Sequence, residues 1–197
     1  MTQPTRNVVG NIALSVHGRI NGRGGDNDMS WIVPHAITET ARDHLTKMTR
    51  TATTALMGRK NYEGFGQYWP AVANDDTAEP RDRAFAQWLN TVDKVVFTTT
   101  LTASPWPNSR ISRDPVTEVN DLRTQPGGHI IVLSSTSIIR ALLAANELDR
   151  LIINLCPEIG GGGARLFDGE LQQSAWLLTD QSTSTTGATF CTYDRQR

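Results

Sequence analysis

The order of apolar runs predicts an α/β protein built on one central, mostly parallel sheet. Three observations carry that prediction. Val8–Val16, Lys94–Phe97, His129–Leu133 and Leu148–Cys156 are short runs rich in β-branched and aliphatic residues. They are apolar on both faces, as strands in a sheet covered on both sides must be. Between them lie helix-length segments with apolar residues at helical spacing. Near the C-terminus, Trp176–Asp180 and Thr189–Asp194 alternate in the manner of two antiparallel strands closing a sheet edge. The count comes to about eight strands and about five helices in one domain, an architecture that places ligand sites at strand ends.

Bulk properties narrow the function classes. A chain of 197 residues fits one domain and can bury a real core. Its net charge of −1, spread without blocks of like sign, argues against a nucleic-acid surface or a polybasic membrane patch. No apolar run approaches the ~20 residues of a membrane span. The opening stretch MTQPTRNVVGNIALSVHG is broken by Gly10 and Asn11 and lacks the continuous apolar region of a signal peptide, so a cytoplasmic protein is expected. Cys156 and Cys191 sit in strand-like runs with no second Cys or His at metal-ligand spacing. They read as buried thiols in a reducing compartment, and no metal is expected.

The segment that organises the chain is Thr53–Gly66, TTALMGRKNYEGFG. An apolar strand stops at Gly58 and turns straight into a helix, leaving free N–H groups and a positive helix end at one spot. Arg59 and Lys60 add fixed charge suited to phosphate oxygens. An ordinary strand-to-helix connection with two solvated cations accounts for the segment equally well. Upstream, Asn21–Asn27 is a glycine-rich loop without the Lys-Ser/Thr of a P-loop and reads as surface. Pro34 stands where helices begin, and the segment through Arg50 reads as one helix. Ala41, Leu45 and Met48 form its apolar stripe, Glu39, Arg42, Asp43 and Lys47 its solvated face, and His35 and His44 read as exposed.

Downstream of Tyr68-Trp69-Pro70, Ala71–Arg83 reads as an irregular loop and Asp82–Thr91 as a helix carrying Phe85, Trp88 and Leu89 on one side. Thr98-Thr99-Thr100 follow a strand, where hydroxyls hold a phosphate or β-branching simply prolongs the strand. Ser104–Asp114 is a Pro-broken loop with Ile111 in a short edge strand, and Thr117–Thr124 reads as a helix capped by Thr117. Ser134-Ser135-Thr136-Ser137 lie between a strand and the helix Ile138–Ala145, a place for helix caps, for phosphate, or for both. Four glycines, Gly160–Gly163, follow Pro157.

The order of Met29-Ser30-Trp31-Ile32-Val33-Pro34, then Gly58-Arg59-Lys60-Asn61-Tyr62-Glu63, then Leu151–Phe167 (LIINLCPEIGGGGARLF) resembles the dihydrofolate reductase fold. It more closely resembles the riboflavin-biosynthesis reductase, or RibD C-terminal, branch of that fold, from about Val8 to about Tyr193. The resemblance implies an NADPH-dependent reductase that acts by hydride transfer on a small heterocyclic or related carbonyl or imine substrate. It places Gly58, Arg59, Lys60 and Asn61 against the cofactor phosphates, with Arg59 and Lys60 selecting NADPH over NADH. It also places Thr98 and Thr99 at the adenosine ribose, Ser134, Ser135, Thr136 and Ser137 at the pyrophosphate, and Ala13, His17, Ile20, Gly161 and Gly162 toward the nicotinamide. The glycine-rich loop becomes a flap, and a two-fold homodimer is expected.

Several positions depart from the family pattern. Asn61 replaces the usual Thr, Ser134 and Ser135 a glycine pair, Arg150 a Glu, and His17 an Asp. His17 either touches ligand or stabilises its turn. The carboxylate that contacts the pteridine in folate reductases falls at Ala36, which argues against dihydrofolate. Asp28 and Glu39 are the carboxylates within reach and the candidate catalytic groups. The same departures support a second reading, a cofactor-free binding or structural homodimer of the same fold.

Overall fold

The computed structural model describes residues 6–25, 28–159, 163–169 and 171–197. Eight strands form one sheet: β1 (Val8–Ser15), β2 (Ala52–Gly58), β3 (Asp93–Phe97), β4 (Ser109–Ser112), β5 (His129–Leu133), β6 (Arg150–Cys156), β7 (Ala175–Thr183) and β8 (Thr189–Gln196). Their spatial order is β4-β3-β2-β5-β1-β6-β8-β7. The pairs from β4 to β6 are parallel, and β8 runs antiparallel to both β6 and β7. The predicted fold class, the edge strand at Ile111 and the closing hairpin are all present.

Helices α1 (Val33–Ala36), α2 (Glu39–Thr49), α3 (Arg59–Val72), α4 (Pro80–Thr91), α5 (Pro115–Arg123) and α6 (Thr136–Ala144) cover the sheet. One core places Ile12, Leu14, Ile130 and Val132 against α5 and α6. The other places Val9, Met57, Ile131 and Leu133 against α2, α3 and α4. Alternation along each strand thus feeds two cores, which is why the central runs are apolar on both faces.

Local chemistry moves several boundaries. The single helix expected from Pro34 to Arg50 is two, because Thr38 is extended and accepts from the Ala41 N–H as the N-cap of α2. The loop expected over Ala71–Arg83 shrinks, since α3 continues through Pro70 to Val72 and Pro80 opens α4. Asp114, not Thr117, caps α5 by accepting from the Val116 N–H, while the Thr117 hydroxyl donates to Asp114.

Polar residues join elements, including some on the solvated face of α2. Arg42 binds Asp82 in a fork, 2.8 Å at the shorter contact, and Arg81 pairs with both Glu39 and Asp43, so the polar face of α2 docks on α4. Lys94 is 1 % exposed, with its ammonium on the Leu89 and Val92 carbonyls at the end of α4 and over the Trp106 ring. Burial lowers it to about 8. Arg150, the departure from the family pattern, forms two bonds with Asp194 at 2.6 and 2.9 Å and locks β6 to β8. Neither helix histidine is exposed. His35 bonds to Thr186 in the hairpin turn and to Glu158 after β6. His44 packs 5.2 Å from the Phe190 ring, and burial lowers it to about 4 from 6.5.

Across the window from about 6.5 down to about 4, the unfolded chain binds a proton at His44 that the folded chain refuses. Stability from this group is therefore present above the window and lost as pH falls through it. His44→Phe should flatten the acid limb of a curve of urea-unfolding free energy against pH, by up to about 3 kcal/mol at its acid end. An unchanged limb would assign the acid sensitivity elsewhere.

Candidate functional site

Neighbouring strands β2 and β5 send their helices to opposite faces of the sheet, α3 into one core and α6 into the other. Such a divergence opens a crevice at the carboxyl ends of the strands, with two helix N-termini facing it. One hydroxyl holds the crevice together. The Ser135 Oγ accepts from the Gly58 N–H at 2.8 Å and from the Asn61 amide at 3.0 Å, and donates to the Leu133 carbonyl at 2.9 Å. That exhausts a hydroxyl's one donor and two acceptor positions. Asn61 also donates to the Ser134 carbonyl at 2.6 Å. Asn61 and Ser135 are both departures from the family pattern, and they are partners: the longer amide reaches the hydroxyl that replaces a glycine.

Ser134 has φ +48, a backbone conformation that ordinarily favours glycine, and its N–H donates to Asn11 on β1. Serine thus keeps the backbone path that a glycine would take. Gly58 has φ −74, and a side-chain carbon there would meet Ser135 at an ordinary 3.6 Å, so internal packing does not require glycine. Because the Ser135 hydroxyl faces Gly58, it does not cap α6, contrary to the expected capping role. Neither α3 nor α6 has a side-chain cap, which leaves the first N–H groups of both helices to another acceptor. The Thr136 Oγ1, in the first turn of α6, is buried without a hydrogen-bond partner.

The other predicted residues fall around this junction to different degrees. Arg59 opens α3 half-exposed and pairs with Glu63 at 3.0 Å, while Lys60 is exposed beside it. Ser137 is exposed on α6. Thr98, after β3, is buried and accepts from the Thr100 and Leu101 N–H groups, so its hydroxyl shapes its own turn, and Thr99 is exposed. Ala13 lies on β1 opposite Asn154 of β6. His17 occupies the turn closed by Gly18, where its Nδ1 is buried and unpartnered, and Ile20 packs on the α6-side core. Gly161 and Gly162 lie outside the described residues.

Asp28 accepts from Gly24 and Ser30, which hold its carboxyl below the usual carboxylate range. Glu39 is committed to Arg81 on the α2–α4 face. Neither is joined by a hydrogen bond to the α3–α6 junction. The sheet face beside it carries groups that sequence reasoning did not single out. Asn154 donates to the Asn11 side chain at 3.3 Å, its own Oδ1 is buried without a partner, and so is the Trp31 Nε1. Trp31 packs with Cys156 and Phe190, the neighbours of Asn154 along and across the sheet, so the two orphan atoms share one region. Asparagine inside an apolar strand is the signal that would have found it. No group of His, Cys, Asp and Glu among the described residues is arranged to hold a metal ion.

The structure is thus an α/β domain with two uncapped helix N-termini side by side at its strand ends. The sequence profile of the RibD C-terminal domain matches residues 6–192, and the chain belongs to that family. The uncharacterised Bacillus subtilis protein YyaP is 23% identical over 188 residues, covering 95% of this chain and 94% of its own. A crystal structure of a provisionally assigned riboflavin-biosynthesis protein from Shewanella sp. PV-4 aligns over 98% of this chain and 99% of that one, with TM-score 0.70 and 18% identity. Enterococcus faecalis dihydrofolate reductase, complexed with NADP(H) and RAB-propyl, aligns over 97% of both chains with TM-score 0.57 and 16% identity.

Ser135→Ala would leave the Gly58 N–H and the Asn61 amide short of an acceptor. It should lower unfolding free energy in urea by about 1–3 kcal/mol. Asn61→Ala should cost a similar amount, and the double variant less than the sum because both lose the same junction. Additive losses would show that the two residues act apart.

Proposed function

We propose that this protein is an NADPH-dependent reductase acting on a small, uncharged heterocyclic or related carbonyl or imine substrate. The observation that carries the reading is the pair of uncapped helix N-termini fastened side by side at the strand ends, with an unpartnered, buried Thr136 hydroxyl in the first turn of α6. Two helix N-termini in one crevice form a site for a diphosphate. First-turn N–H groups at Arg59 on α3 and at Thr136 and Ser137 on α6 bind that group, while Gly58, Ser134 and Ser135 fix the turns that aim them. Arg59, with Glu63 fixing its orientation, and Lys60 add the positive charge that a further phosphate on the adenosine ribose requires.

When bound, the nicotinamide cofactor supplies the hydride. The chain's part is to bind and orient. Ala13 has no polar side chain to compete for a ring lying against β1. Asn154 and Trp31 offer an amide oxygen and an indole N–H to an uncharged substrate, consistent with the alanine at position 36 where folate reductases carry an acid. The His17 Nδ1, buried without a partner just after β1, is a further hydrogen-bonding atom for the ligand. Asp28 and Glu39 act indirectly, Asp28 by tying Gly24 to Ser30 and Glu39 by fixing α2 to α4.

A homodimer in the cytoplasm completes the proposal. Leu178 is 45% exposed on the face of β7 that carries Trp176, and Phe167, 52% exposed, lies beside Trp176 and Tyr193. Apolar surface of this kind is characteristic of subunit contacts. No helix among the described residues is long and apolar enough to cross a membrane.

A ligand bound only by the folded state raises the melting temperature. NADPH should raise that of the purified protein and NADH should raise it much less. Arg59→Ala should weaken NADPH at least tenfold, about 1.4 kcal/mol, while leaving NADH nearly unchanged. Equal losses would remove the role assigned to Arg59. No shift with either nucleotide would favour the cofactor-free reading.

A further inference from the structure

At the other end of the sheet lies a cleft of about 250 Å³, between α2 and the strands. Its roof is one turn of α2, carrying His44, Lys47 and Met48. Its floor is Val9, Ile131 and Ile152 on three neighbouring strands. His129, Arg150 and Asp180 stand on the rim. His129 and Arg150 begin their strands, whereas the α3–α6 junction follows the strand ends. The four residue steps from His129 to Leu133 alone separate the two places by roughly 13 Å.

We propose that this cleft is a second ligand site, distinct from the crevice at the strand ends, that takes an uncharged single-ring compound bearing a hydrogen-bonding group. Three features select that class. The volume is below the ~300–1,000 Å³ of sites for larger ligands, which limits the occupant to one ring. The charges around the mouth are matched within the protein: Lys47 pairs with Asp180 at 2.5 Å, and Arg150 is held by both oxygens of Asp194. An ionic ligand would have to leave water without gaining an unmatched counter-charge, which is costly. Finally, His44 lines the cleft, and its Nε2 is buried without a hydrogen-bond partner. An unpaired buried nitrogen over an apolar floor is matched by a flat ring with one donor or acceptor at its edge. Burial lowers both His44 and His129, which keeps both imidazoles neutral and the interior uncharged.

The test uses the full chain and four probes of one ring each: phenol and uracil, both uncharged near neutral pH, benzoate and benzylamine. Phenol or uracil at millimolar concentration should shift the His44 ring signals saturably in NMR. It should also give nuclear Overhauser contacts to the Ile131 and Ile152 methyl groups in the unmodified protein. Benzoate and benzylamine should bind at least tenfold more weakly. His44→Phe should weaken phenol at least tenfold, and His44→Gln, which retains a hydrogen-bonding edge, should restore most of it. NADPH should not compete. The proposal fails if no probe contacts those methyl groups, if an ionic probe binds as well as phenol, if His44→Phe binds phenol normally, or if NADPH displaces it. The methyl contacts need no substitution, so they decide the matter even where a variant is unstable.

Discussion

The hydroxyl of Ser135 is the point on which the arrangement of this protein turns. Two helices leave adjacent strands in opposite directions, and nothing in the sheet itself fixes how far apart their first turns stand. A saturated hydroxyl bonded to Gly58, Asn61 and Leu133 fixes it. Because the hydroxyl is spent on this task it cannot cap α6, so the helix N–H groups remain available. Structural fastening and ligand readiness thus come from the same atom.

The same economy recurs around the sheet. Charged side chains act as fasteners between elements: Arg42 and Arg81 on helices join α2 to α4, and Arg150 on a strand joins β6 to β8. Exposed pairs of this kind contribute little each to stability, but forked arginine contacts set geometry. Lys94 does so from inside, closing the end of α4 with its ammonium on two carbonyls. His35 ties α1 to the hairpin turn and to the segment after β6, bringing the C-terminal hairpin against the face that carries Trp31 and Asn154.

Family membership and fold agree with this geometry, and the departures at Asn61, Ser135 and Arg150 have physical partners. Asn61 and Ser135 answer each other across the junction. Ser134 adopts φ +48 and keeps a glycine-like path. Arg150 finds Asp194 on the next strand. Substitutions that look like decay one at a time are thus matched structurally by a partner elsewhere in the fold.

The sequence by itself determined the sheet, the hairpin, the α/β class and the strand-to-helix turn at Gly58, because apolar periodicity and glycine placement act over a few residues. It also located the hydroxyl cluster and the missing acid at Ala36. Only the tertiary structure decided what those groups do. That Ser135 faces Gly58 and not its own helix, that Thr98 serves its own turn, and that His44 is buried follow from which strands lie side by side. So does the meeting of Asn154 with Asn11, more than 140 positions apart in the chain. Strand order is set by packing both faces of the sheet at once, and a pattern read along one strand holds no record of its neighbour.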